Sequence, residues 1–65
     1  MATLQVYING ELKQNMTTFY EQVKEEYDNW IKAINKEKRR EVDITIILKK
    51  SGRCSTIKQV FPKTV

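Results

Sequence analysis

Four carboxylates crowd one short stretch of this chain: Glu21, Glu25, Glu26 and Asp28. Paired carboxylates can divide acid and base duties between them. Here, however, they alternate with Phe19, Val23, Tyr27, Trp30, Ile31 and Ile34, whose spacings of three and four mark the apolar stripe of a helix. The acids therefore read as that helix's solvated side. Cys54 is the other reactive group, and its neighbours Arg53 and Lys50 would favour a thiolate. A nucleophile also needs a base, and the chain has no histidine. One cysteine without histidine makes neither an internal disulfide nor a zinc site. Gly10 and Gly52 are the only glycines and each falls in a turn, which leaves no phosphate-cradling loop. These residues imply no catalytic, metal or cofactor site, so the expectation is a chain that works by binding.

Two groups of residues could bind. Tyr7, Ile47 and Val60, flanked by Lys13, Thr45 and Lys58, fall on one phase of alternating segments and would share a sheet face. Contiguous apolar side chains on a solvated face mark interaction sites, although scattered surface hydrophobes are also ordinary. The second group is basic. Of a net charge of +4, residues 1–35 contribute −2 and residues 36–65 contribute +6. Lys36, Lys38, Arg39 and Arg40 follow the helical stripe, and Lys49, Lys50 and Arg53 surround a later turn. Such asymmetry favours an anionic partner, while a net charge of this size also serves solubility.

The elements that must position these groups are legible. Residues 3–8 alternate, with Leu4, Val6 and Ile8 on one side and Thr3, Gln5 and Tyr7 on the other. Asn9-Gly10 then supplies the two positive-φ residues of a type I′ hairpin turn. The return strand runs Glu11–Met16, with Leu12 and Met16 inward and Gln14 between them. Thr18-Phe19-Tyr20-Glu21 fits a capping box, which predicts a helix from Thr18 to about Lys38. Early acids and late bases complement its dipole. Val42, Ile44, Ile46 and Leu48 define a third strand rich in β-branched residues. Lys50–Arg53 forms a turn, and Cys54–Phe61 a fourth strand with Ile57 and Phe61 inward, because the opposite phase would bury Lys58. Pro62 ends that strand, and 62–65 is a short tail.

The expected fold is one α+β domain over residues 1–65, ββαββ, with one long helix on one face of a four-stranded sheet. Its core would hold Leu4, Val6, Ile8, Leu12, Met16, Phe19, Val23, Tyr27, Trp30, Ile31, Ile34, Val42, Ile44, Ile46, Leu48, Ile57 and Phe61. With its Asn-Gly hairpin, this element order resembles the β-grasp arrangement of small immunoglobulin-binding domains. That resemblance implies terminal strands lying parallel at the sheet centre. The alternative is a plain antiparallel order with the two hairpins side by side. The likeness concerns topology and brings no functional motif with it.

A chain of 65 residues buries only a modest core, so a homodimer formed by edge-strand pairing, from Glu11–Met16 or Val42–Lys49, would add burial. No secretory leader or apolar run long enough to cross a bilayer is visible, and a lone thiol suits a reducing compartment; a soluble, cytoplasmic protein is expected. The leading functional expectation is a non-enzymatic protein-binding module, an adaptor, regulator or inhibitor of a larger protein. It would dock through the open sheet face or an edge strand, a design that suits a phage or mobile-element protein. The alternative is a nucleic-acid-binding protein using the basic C-terminal half. The helix end and the second hairpin tip should lie at opposite ends of strand three, which splits the basic groups and disfavours that alternative.

Overall fold

The computed structural model describes residues 1–50 and 55–64. Two strands, β1 (Ala2–Ile8) and β2 (Glu11–Thr18), precede α1 (Tyr20–Lys36). Two more, β3 (Ile44–Lys50) and β4 (Ser55–Phe61), follow it. The four strands form one sheet in the order β2-β1-β3-β4, with every pairing antiparallel. The two hairpins thus lie side by side, and β1 meets β3 rather than β4. The β-grasp order is not the one adopted. Of the edges expected to be free, β2 is one, but β3 is central and β4 forms the other edge.

The first turn governs the register of half the sheet. Asn9 at φ 54° and Gly10 at φ 82° make the two-residue loop, so Ile8 faces Glu11 and Tyr7 faces Leu12. Continued unchanged, that register would put Lys13 opposite Val6 on the helix side. Instead the pairing shifts between Val6 and Tyr7, and Gln14 faces Val6 while Met16 faces Leu4. Lys13 is the extra residue of a β-bulge, a device that re-aims side chains next to it. Met16 and Gln14 are thereby kept on the helix side, and Leu12 goes to the other. The expectation that Leu12 is a core residue is corrected: it is 45% exposed.

The helix rests over β1, β3 and β2. Between helix and sheet Leu4, Val6, Val23 and Ile46 are fully buried, joined by Ala2, Tyr27, Ile34 and Leu48. Met16, Tyr20, Trp30, Ile31, Ile44 and Phe61 pack around this centre. No polar side chain is buried among the described residues. At the rim, the Trp30 indole N–H donates to Gln14 Oε1 at 3.0 Å, so the amide on the inward face has a partner.

Three further expectations change. Phe19, not Thr18, is the N-cap residue, in extended conformation and with no side-chain cap; Thr18 Oγ1 instead donates to Gln22 Oε1. Phe19 therefore stands outside the stripe at 68% exposure. The helix also stops at Lys36, where the Glu37 N–H returns to the Ile34 carbonyl, leaving Lys38, Arg39 and Arg40 in the connection to β3. Finally, the helix packs chiefly on the other three strands, and Ile57 of β4 is 43% exposed, although its register partner Leu48 is buried.

Candidate functional site

Strand pairing assigns the helix-free face row by row. Because directly opposite residues share a face, Leu12, Tyr7, Thr45 and Val60 form one row across all four strands. The next row is Asn15, Gln5, Ile47 and Lys58, and the third is Thr17, Thr3, Lys49 and Thr56. With strands about 4.8 Å apart, each row spans about 14 Å. Leu12, Tyr7, Val60 and Ile47 are therefore contiguous or diagonal neighbours at one end of the face. The other end is threonine-rich, and Thr3 and Thr17 share a hydroxyl hydrogen bond of 3.1 Å.

The electrostatics of this face are one-sided. Lys49 and Lys58 lie on it, and none of the described residues that the register places there is acidic. Lys13 sits at the bulge beside it, its ammonium 3.3 Å from Glu11 Oε2. Tyr7, Thr45 and Ile47 are half-buried among their neighbours, whereas Leu12 and Val60 stand well exposed. Sequence reasoning placed Tyr7, Lys13, Thr45, Ile47, Lys58 and Val60 together; the sheet brings all but Lys13 into adjoining rows, and Lys13 falls in the bulge. It missed Leu12. The signal was present, because a two-residue Asn-Gly loop by itself sets Leu12 opposite Tyr7.

The basic residues do not converge. Lys36, Lys38 and Arg39 are exposed near the end of the helix. Arg40 is engaged there: its Nε donates to the Pro62 carbonyl at 3.2 Å, and its guanidinium lies 5.9 Å from the Phe61 ring centre. Lys50 is at the other end of β3, with its ammonium 4.7 Å from the centre of the Tyr20 ring in the first turn of the helix. Lys49 faces Thr3 on the open side. Arg53 and Cys54 lie outside the described residues. The two basic groups are thus at opposite ends of the sheet, as the element order implies.

Other features offer less. Along the helix, Lys24 bonds Asp28 at 2.8 Å, a hydrogen bond that raises the lysine's pKa above its ordinary 10.5. That contact accounts for one of the four carboxylates considered as acid–base candidates. A shallow groove of about 340 Å³ lies between Gln14 and the helix residues Glu26, Asn29, Trp30 and Ala33. A second, of about 250 Å³, is lined by Tyr20, Leu48, Lys50, Ser55 and Ile57 where the helix stops short of β4. Among the described residues, no group of histidine, cysteine or carboxylate side chains is placed to hold a metal ion. Nor is any helix among them long and apolar enough to cross a membrane. Comparison with protein-family models, with curated proteins and with solved structures returns no significant match to this chain.

Proposed function

We propose that this chain is a small non-enzymatic protein-binding module that docks through its helix-free sheet face onto an acidic surface of a larger protein. The observation that carries this reading is the row Leu12, Tyr7, Thr45 and Val60, backed by Ile47 and bordered by Lys49 and Lys58, with no acid among the described residues of the face. An apolar and aromatic cluster bordered by lysines matches the anatomy of a protein interface. The lysines steer encounter and reject basic surfaces, while the apolar row supplies most of the affinity. An adaptor, a regulator and an inhibitor would each use such a face in the same way. Nucleic acid fits the face less well. Tyr7 is its one aromatic residue, single strands want several stacking platforms, and the remaining bases are split between the two ends of the sheet.

The test is affinity capture from host lysate by the immobilised chain, after nuclease treatment, with Val60→Glu as the comparison. Val60 is 56% exposed, so this substitution leaves the core alone. The expected result is a discrete protein that survives nuclease and is lost, by at least tenfold, with Val60→Glu. Retention of that protein by the variant, or binding that disappears with nuclease, contradicts the reading.

A further inference from the structure

The two sheet edges differ in kind. On β2, Lys13 sits in a bulge and pairs with Glu11, and bulges and charges are features that keep an edge from templating another strand. β4 lacks the bulge. It pairs with β3 over all seven residues without a shift in register, and six of its seven residues are exposed. Its exposed apolar side chains lie on both sides of the sheet: Ile57 toward the helix layer, which does not reach it, and Val60 on the open face.

We propose that β4 is the association edge for a second copy of this chain, paired antiparallel about a two-fold axis at Gln59. The side chains of β4 complement their own copies, which selects that occupant, and only one register pairs them favourably. An axis perpendicular to the sheet keeps each face continuous, so residues meet only partners of their own face. Centring the pair on Lys58 would set two ammonium groups directly opposite each other, which is destabilising. Centring it on Val60 sets Ile57 opposite Lys63 of the copy, which gives its exposed side chain no apolar partner. Centring it on Gln59 puts Gln59 against its own copy, Ile57 against the partner's Phe61, and Lys58 against the partner's Val60. Ile57 then gains the cover that the helix does not give it, twice by symmetry. The lysine stem lies along an exposed valine while its ammonium stays in water. The result is a continuous eight-stranded sheet whose two open faces join into one. Because each chain carries +4, screening by salt strengthens this association, whereas phosphate binding weakens with salt.

Disulfide trapping tests the register. Opposite residues of an antiparallel pair have Cα atoms about 4.5–5.5 Å apart, within disulfide range. In a Cys54→Ser background, Gln59→Cys should cross-link at least tenfold faster than Thr56→Cys, which the same register holds far from its copy. Sedimentation of the unmodified chain should show a dimer that grows with concentration and with added salt. Ile57→Lys, with an unchanged far-UV spectrum, should be a monomer throughout. A monomer at every concentration, equal cross-linking at positions 56 and 59, or a folded Ile57→Lys protein that still dimerises each overturns the proposal.

Discussion

Asp43 and Asn9 show how single residues hold the irregular end of this molecule. The Asn9 N–H donates to the Asp43 carbonyl at 2.8 Å, and Asn9 Oδ1 accepts from the Asp43 N–H at 3.1 Å. Asp43 Oδ1 in turn accepts from the Lys63 N–H at 2.6 Å. Beside them the Arg40 N–H donates to Thr64 Oγ1, and the Thr64 N–H returns to the Arg40 carbonyl. The first turn, the connection into β3 and the C-terminal segment are thus joined by polar contacts. The sequence made Asn9 legible as a turn residue, because few side chains tolerate positive φ. It did not reveal this second duty, since side-chain bonds between distant loops leave no periodic trace. Asn9→Ala loses the tolerance and the acceptor together. It should cost about 1–3 kcal/mol in urea unfolding, against a much smaller loss for Asn9→Gly, which keeps the backbone freedom. Equal losses for the two substitutions would place the whole effect in the acceptor.

At the scale of elements, the helix was readable and its boundary was not. Val23, Tyr27 and Ile34 lie buried along the expected stripe. Capping failed as a guide because β2 runs on through Thr18, whose backbone pairs with Ala2 and so stays in the strand. Phe19 is left at the cap with a side chain that cannot accept a hydrogen bond and is largely in water. Phe19→Asp supplies an acceptor to the first-turn N–H groups and a negative charge at the positive end of the helix. The expected gain is about 1 kcal/mol, read as a rise of several degrees in Tm. A fall in Tm would show that the aromatic ring is packed in solution. Leu12 belongs to the same scale. The Asn-Gly loop demands one register, the inward Met16 demands another, and the Lys13 bulge reconciles them. Alternation along a single strand cannot expose such a conflict; it appears only when both strands and their loop are considered together.

For the whole molecule, the architecture follows from one helix being narrower than four strands. The stripe covers mainly β2, β1 and β3, so β4 is left without cover on its helix side at Ile57 and the opposite face is left without a second layer. Element order and most residues of the open face could be read from the sequence, Leu12 and the bulged Lys13 excepted. Strand order could not, because the same ββαββ order permits β1 to pair with either β3 or β4. The choice of β3 is what sets Tyr7 beside Thr45 and Gln5 beside Ile47, and so assembles the apolar end of the face.

That face meets a protein or it does not, and site-specific photo-cross-linking in the host cell decides the matter even while the partner is unidentified. A benzophenone amino acid at position 7 should give a covalent protein adduct of one defined mass. The same group at position 25, on the exposed side of the helix, should give none. Adducts from position 25 alone, adducts to nucleic acid, or no adduct at position 7 would contradict the account.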